Sequence, residues 1–328
     1  MISSLQIYHS TGFDPYQNLA TEQYLLEQGA ADGCILYLWQ NADTVVIGRN
    51  QNAYKECRVS ILEEEGGKLA RRLSGGGAVF HDLGNLNFTF LLPREDFDVR
   101  RQLDVICRAC RAFGIPAQIS GRNDLEAAGH KFSGSAFYKS GNRAYHHGTL
   151  LIHSDLQRLG RYLSPSKAKL EAKGVDSVRS RVTNLRAFEP GLTTDAMARQ
   201  LVRAAQAVYG LEARELALDE AAKAAIDQLT AHYASREWRF GARVPATFTC
   251  ESRFPWGGVQ LELLVEQGII TRAGVYTDAM EWELSQLLQQ ALEGREFSRA
   301  AMQEGLCSFE IRPEMREDLS RMLAEQEI

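Results

Sequence analysis

One stretch of the chain, residues 71–82, reads Arg71-Arg-Leu-Ser-Gly-Gly-Gly-Ala-Val-Phe-His-Asp82. Two arginines lead into three glycines, and a short apolar segment that ends in histidine and aspartate follows. Glycine permits positive φ and has no Cβ, so a ligand can approach the backbone amides closely. Cations beside such backbone suit a polyphosphate or an acyl phosphate, and a plain flexible turn is the alternative. The chain has neither a Walker P-loop nor the glycine fingerprint of a dinucleotide-binding fold.

Composition limits the classes of protein that remain. The 328 residues are 45% hydrophobic and 24% charged, which is typical of a globular protein, and the length predicts about two domains. A net charge of -5 argues against bulk attraction to nucleic acid. Six scattered cysteines do not form a disulfide framework. We find no signal peptide and no apolar run of about 18 residues, so we expect a cytoplasmic protein that does not bind a membrane.

The order of the predicted elements indicates an α+β fold, with mixed or antiparallel sheets flanked by helices. Strands are predicted at 35–39 and 44–47, and the polar residues between them indicate a hairpin. Asp14 and Asp98 are predicted to cap helices. Composition changes near Pro245, so we expect a domain at 1–240, a linker at 241–248 and a smaller α+β domain at 249–328. A hairpin of strands 258–266 and 269–277 is predicted in that smaller domain.

Three further segments carry polar groups suited to a site. Lys131 starts a strand of small residues, which leave room for a ligand beside its ammonium group, although a solvated turn lysine is the alternative. His146 and His147 are adjacent in a predicted strand, so they point to opposite faces and do not chelate one metal ion. A polar loop at 178–184 contains two arginines, and a solvated loop is the alternative there.

In combination and order, these pieces resemble the lipoate–protein ligases. The family pattern is Arg-Arg-x-Ser-Gly-Gly-Gly, then an apolar stretch ending in His-Asp, and later Lys-x-x-Gly-x-Ala, which here is Lys131-Phe-Ser-Gly-Ser-Ala136. Similar segments begin at Asn41, Gly121, His146 and Ala172, and the resemblance continues to Phe254-Pro-Trp-Gly-Gly258. It covers nearly the whole chain and implies the long, two-domain form, with a catalytic domain like those of class II synthetases and biotin ligases.

The resemblance also implies roles for particular residues. It places ATP on Arg72, Gly77, Ala78, Val79, Phe80 and Lys131. It places lipoate or its adenylate on Val46, Arg49, Ser74, Gly75, Gly76, His81, Asn85, Lys131, His147, Gly148, Ser180 and Arg181. Lys131 is the implied catalytic residue because it contacts both the α-phosphate and the carbonyl region of the acid. Asp124 is the implied ligand of Mg²⁺.

The implied reaction has two steps, with ATP and Mg²⁺ as cofactors. Lipoate is first activated to lipoyl-AMP, and the lipoyl group is then transferred to a lysine of an acceptor. The implied acceptors are the lipoyl domains of 2-oxoacid dehydrogenase acyltransferase subunits and the H protein of glycine cleavage. We expect a monomer.

Three alternatives are open from the sequence. Octanoyl or lipoyl transferases share the scaffold and take the acyl group from a carrier through a cysteine nucleophile, but no cysteine here lies in a matching motif. Biotin ligases share the fold but carry a Gly-Arg-Gly-Arg loop that this chain lacks. The third alternative is a non-catalytic protein that binds an acyl group or a nucleotide, against which Arg72, Lys131 and Asp124 argue.

Overall fold

A computed structural model describes residues 2–121, 123–164, 182–241 and 244–326. The strands in these ranges are β1 Ser4–His9, β2 Gly33–Trp39, β3 Thr44–Ile47, β4 Lys68–Arg71, β5 Val79–His81, β6 Asn85–Pro93, β7 Ala117–Ser120, β8 Asp124–Ala127, β9 His130–Ser140, β10 Arg143–Leu151, β11 Ala213–Glu215, β12 Phe248–Phe254, β13 Gly257–Glu266 and β14 Ile269–Thr277. The helices are α1 Pro15–Gln28, α2 Ala53–Glu56, α3 Val59–Glu64, α4 Val99–Arg111, α5 Leu156–Tyr162, α6 Thr194–Tyr209, α7 Glu220–Ala234, α8 Arg236–Phe240, α9 Leu284–Leu292, α10 Arg299–Cys307 and α11 Pro313–Ala324.

Eight strands form a mixed sheet in the order β11-β1-β2-β6-β10-β9-β8-β7. The neighbours β11, β1 and β2 run parallel, and all pairs from β2 to β7 are antiparallel. Helices α4 and α6 pack on one face, and α1 and α7 pack on the other. Because both faces are covered, every residue of β6 is buried, including the polar Asn85, Asn87 and Thr89 that alternate with its apolar residues. The predicted fold class is confirmed.

Aspartates start two of the helices as predicted. The Asp14 carboxylate accepts hydrogen bonds from the amides of Tyr16 and Gln17, and Pro15 occupies the first helical position. Asp98 caps α4 in the same way. These caps satisfy amides that have no partner within the helix.

The predicted hairpin between residues 35–39 and 44–47 is wrong. β2 lies in the large sheet between β1 and β6, whereas β3 lies in a separate small sheet between β4 and β5. The intervening turn carries the chain from one sheet to the other. Asn41 anchors this turn because it is fully buried and bonded to Asn18 and His81.

A second, smaller unit follows residue 247. β12, β13 and β14 form an antiparallel sheet, which confirms the predicted hairpin of β13 and β14. Helices α9, α10 and α11 share its apolar core. Close to the large unit, the Thr277 amide donates to the Asn50 carbonyl at 2.9 Å, and Asn50 Nδ2 donates to the Trp282 carbonyl at 2.7 Å. No helix within the described ranges has the length and apolar character needed to cross a membrane.

Candidate functional site

A cavity of about 530 Å³ lies where the large sheet, the small sheet and the smaller unit meet. This volume is within the usual range for sites that bind small molecules. Apolar and charged side chains both line it. The apolar lining includes Leu19, Trp39, Val46, Val79, Phe80, Leu159, Trp256 and Met280, and the charged lining consists of Glu56, Arg72, Asp124, Lys131, Arg253 and Asp278.

The glycine segment that follows β4 borders both the cavity and the smaller unit. Gly76 has a φ of 87°, a backbone conformation that favours glycine. Its amide donates to the Ala279 carbonyl of the smaller unit at 3.1 Å. A Cβ on Gly75 would lie only 2.4 Å from the same carbonyl oxygen. The glycines therefore permit close packing of the two units, besides forming part of the cavity wall.

Arg72 is buried against the glycine segment. Its guanidinium donates to the carbonyls of Gly75 at 2.7 Å, Gly77 at 2.8 Å and Val46 at 3.1 Å, and its Nε donates to Ser74 Oγ at 3.0 Å. Burial lowers the pKa of Arg72 to about 10, so the side chain remains cationic at neutral pH. Arg72 consequently fixes the path of the glycine segment and places a positive charge in the cavity wall.

Lys131 and Asp124 form an ion pair in the cavity wall. Lys131 Nζ lies 2.6 Å from Asp124 Oδ1, and the two residues come from neighbouring strands, β9 and β8. A Cβ on Gly134 would lie 2.7 Å from Lys131 Nζ. The absence of a side chain at Gly134 therefore leaves the space that the ammonium group occupies.

A chain of hydrogen bonds connects Arg72 to buried polar residues of the large unit. The Glu22 carboxylate, which is 2% exposed, pairs with His147 Nδ1 at 2.8 Å and accepts from Thr89 Oγ1 at 2.7 Å. His147 Nε2 lies 2.8 Å from Ser74 Oγ, the atom that accepts from Arg72. His147 lines the cavity, so this chain joins its wall to the core of the large unit.

His81 presents a neutral ring to the cavity. Its Nδ1 lies 3.1 Å from Asn41 Nδ2 and 3.5 Å from Asn87 Nδ2. Both amide nitrogens are donors, so Nδ1 is the acceptor and Nε2 carries the proton. Burial, reinforced by Arg72 and His147, lowers the pKa of His81 to about 3. Its Nε2 has no hydrogen-bond partner within the described ranges, so it can donate to a polar ligand atom.

The structure brings most of the predicted site residues together. Those that line the cavity are Val46, Arg72, Gly76, Gly77, Ala78, Val79, Phe80, His81, Asp124, Lys131, His147 and Gly148. Four others do not line it. Ser74 supports Arg72, Gly75 packs against Ala279, Asn85 bonds to Asn87, and the Arg49 guanidinium lies 5.6 Å and 5.4 Å from the rings of Trp238 and Trp282. Ser180 and Arg181 lie outside the described residues.

Several residues of the site were not predicted from the sequence. Glu22 is one, although its spacing from Leu19, Leu25 and Leu26 places it on the buried face of α1. Arg253, Trp256, Asp278 and Met280 are further examples, and all four belong to the smaller unit. One signal for two of them was present, because the motif that starts at Phe254 contains Trp256 and directly follows Arg253.

Asp124 is suited to hold a magnesium ion together with a nucleotide. Within the described ranges, no three histidine, cysteine or acidic side chains are grouped to hold a metal. Mg²⁺ is commonly held by one or two carboxylates plus substrate phosphates, so a cluster of protein ligands is not required. The Asp124 carboxylate, which lies in the cavity wall, fits that arrangement.

Comparisons with known proteins agree on one family. The model of the lipoyl protein ligase A/B catalytic domain matches residues 14–206, and that of the bacterial lipoate protein ligase C-terminus matches 245–323. P. falciparum LipL1, solved in complex with lipoate, has a similar fold, with a TM-score of 0.87, 24% identity, and coverage of 98% of this chain and 100% of that one.

Two other solved structures are similar over a smaller share of the chain. A lipoate-protein ligase A bound with ATP is 26% identical, covering 74% of this chain and 99% of that one, with a TM-score of 0.64. A bi-partite lipoate protein ligase, described with its E2 lipoyl domain from Thermoplasma acidophilum, is 26% identical, covering 76% and 100%, with a TM-score of 0.66.

Proposed function

Because the chain belongs to the lipoyl protein ligase family and is a ligase, we propose that it activates lipoate with ATP and transfers the lipoyl group to a lysine of an acceptor protein. One observation carries the proposal. A single cavity combines an apolar lining with the Lys131–Asp124 pair and with Arg72 beside the glycine segment. Such a cavity can hold an apolar acyl chain and a nucleotide phosphate at the same time.

The first proposed step joins two anions. A carboxylate oxygen of lipoate attacks the α-phosphorus of ATP, and a bond forms between them. The bond from the α-phosphorus to the oxygen that bridges it to the β-phosphorus breaks, and pyrophosphate leaves with that electron pair. Lys131 and Arg72 lower the repulsion between the reactants, because fixed cations in a cavity stabilise charge that develops on the phosphate. Bound Mg²⁺, held by Asp124 and phosphate oxygens, would add positive charge there.

The second proposed step transfers the acyl group. The acceptor amine attacks the carbonyl carbon of lipoyl-AMP, an amide bond forms, AMP leaves with the electrons of the broken carbon–oxygen bond, and the amine loses a proton. A lysine amine has an ordinary pKa near 10.4, so less than about a thousandth of it is neutral at pH 7. Desolvation at the docked interface favours the neutral amine. Each methylene of the acyl chain that the cavity buries contributes about 0.8 kcal/mol to binding.

We assign the two steps mainly to a catalytic domain at 1–240, which a linker at 241–248 joins to an accessory domain at 249–328. Lipoyl domains of 2-oxoacid dehydrogenase complexes are the proposed acceptors, supported by the similar ligase that is described with its E2 lipoyl domain. The H protein of glycine cleavage is a second proposed acceptor.

Transfer from an acyl carrier through a cysteine fits the structure less well. All six cysteines lie in the described ranges, and none of them lines the cavity. Cys57 is next to Glu56 of the cavity wall, but it is buried, and burial raises the pKa of its thiol to about 12. A thiol that stays protonated at neutral pH is a poor nucleophile.

The proposal is tested by incubating the protein with ATP, Mg²⁺, lipoate and an apo lipoyl domain, and then weighing the acceptor by mass spectrometry. A lipoyl mass gain that requires ATP is the expected result. A gain that appears only with an acyl-carrier thioester would instead establish a transferase, and no gain with either donor would favour a non-catalytic binding protein.

A further inference from the structure

Arg253 is a third cation of the cavity, and it comes from the smaller unit. It lies near the end of β12, and its neighbours Pro255, Trp256 and Gly257 line the same cavity as Lys131 and Arg72. Of the six charged residues that line the cavity within the described ranges, three are cationic. The smaller unit therefore contributes charge to the site and does more than cover it.

The three cations differ in how strongly their N–H groups are hydrogen-bonded within the protein. Arg72 donates four hydrogen bonds, one to Ser74 and three to backbone carbonyls. Lys131 is held at 2.6 Å by Asp124. Arg253 Nη1 lies 3.3 Å and 3.5 Å from the Asp278 oxygens, which is longer than the 2.7–2.9 Å typical of a charged hydrogen bond. Its Nε is buried and has no partner within the described ranges.

Two contacts hold the turn that follows Arg253. The rings of Phe254 and Trp256 stack with centroids 4.9 Å apart, and Trp256 Nε1 donates to Asp318 on α11 at 2.9 Å. Asp278 accepts from the Gly258 amide at 2.7 Å, so the carboxylate beside Arg253 is also fixed. A guanidinium placed in this way is well suited to a planar, two-pronged contact with phosphate oxygens.

We propose that Arg253 binds the phosphates of the nucleotide that leave as pyrophosphate, and that Asp278 positions it for this contact. The inference rests on the proposed ligase function. It makes Arg253 necessary for the activation of lipoate but not for the transfer of the acyl group, because pyrophosphate has left before the acceptor amine attacks.

The test compares the protein with the variants Arg253→Ala and Arg253→Lys, and with Arg272→Ala as a matched control. Arg272 is an exposed arginine on β14 of the same sheet and does not line the cavity. Three quantities are measured for each protein: pyrophosphate release with lipoate and Mg-ATP, transfer of the lipoyl group from supplied lipoyl-AMP to an apo lipoyl domain, and the affinity for inorganic pyrophosphate by calorimetry.

A lost hydrogen bond between charged groups predicts that Arg253→Ala lowers kcat/KM for Mg-ATP by about 10- to 150-fold and weakens pyrophosphate binding. Transfer from lipoyl-AMP should be unchanged, Arg253→Lys should be intermediate, and Arg272→Ala should match the parent protein. Activation that is unchanged in Arg253→Ala would overturn the inference, and so would an equal loss in both steps, which indicates a structural role. A parent protein that forms no adenylate would instead refute the proposed function and remove the basis of this inference.

Discussion

Gly75 packs against the backbone of the smaller unit, so an added methyl group there should disturb the contact between the two units. A Cβ there would lie 2.4 Å from the Ala279 oxygen and 2.8 Å from the Met280 oxygen, and both are backbone atoms. Gly75 has no positive φ. The cost of Gly75→Ala therefore comes from steric overlap with these two oxygens and not from backbone strain. We expect the smaller unit to move away from the glycine segment and to lose the hydrogen bond between Gly76 and Ala279.

The expected size follows from two terms. Overpacking costs about 1–3 kcal/mol and a lost hydrogen bond costs about 1 kcal/mol. Together they weaken the docking of the smaller unit by about 2–4 kcal/mol, which is about a 30- to 700-fold change in the equilibrium between docked and undocked arrangements.

Hydrogen exchange at the Thr277 amide, which donates to Asn50, is the assay for this change. Loss of docking should accelerate its exchange by about 30-fold or more in Gly75→Ala. Gly160→Ala is the control, because a Cβ at Gly160 of α5 meets nothing within 4 Å. Exchange at Thr277 that is the same in Gly75→Ala as in the parent protein would refute the reasoning.

Three further predictions concern single side chains. Lys131→Ala should lower the rate of adenylate formation, measured by pyrophosphate release, by about 100-fold or more. Lys139→Ala on the same strand is the control and should leave the rate unchanged. Equal rates in Lys131→Ala and the parent protein would contradict the role of Lys131. Ser74→Ala leaves a buried donor of Arg72 without its acceptor, so chemical denaturation should show a loss of about 1–3 kcal/mol, and an unchanged midpoint would argue against this contact. Burial lowers the pKa of His146 to about 3. Below pH 6.5 the unfolded chain takes up a proton there that the folded chain does not, so His146 costs about 2 kcal/mol of stability at pH 5 relative to pH 7. His146→Leu should remove that part of the loss in unfolding measurements at the two pH values, and an identical pH dependence would contradict it.

Local signals in the sequence identified much of the fold. The caps at Asp14 and Asp98 and the hairpin of β13 and β14 depend on residues that are close in the chain. The pairing of β3 depends on partners that are distant in the sequence, and it was wrongly predicted. Two adjacent apolar strands with a polar turn between them indicate a hairpin, although here the two strands belong to different sheets. Strand β12 and helix α10 were not predicted at all.

In the site, too, residues in contiguous motifs were predicted, and residues that depend on distant contacts were not. Residues within the glycine motif and the lysine motif were predicted because each motif is contiguous, and the structure places most of them around one cavity. Glu22 was missed because its importance comes from contacts with His147 and Thr89, which are far away in the sequence. Arg253 was missed because only the docking of the smaller unit brings it to the cavity. Arg49 was predicted to contact lipoate or its adenylate, but it does not line the cavity, and its guanidinium lies 5.6 Å and 5.4 Å from the rings of Trp238 and Trp282.

We propose that one cavity binds lipoate and a nucleotide and holds the lipoyl-AMP that forms from them. The most direct measurement supplies the protein with lipoate, ATP and Mg²⁺ in the absence of any acceptor, quenches the mixture, and quantifies lipoyl-AMP against protein by mass spectrometry. We predict that lipoyl-AMP forms in an amount equal to that of the protein and that an equal amount of pyrophosphate is released. The lipoyl-AMP should be consumed when an apo lipoyl domain is added. The absence of lipoyl-AMP from a folded protein that binds both substrates would contradict the account.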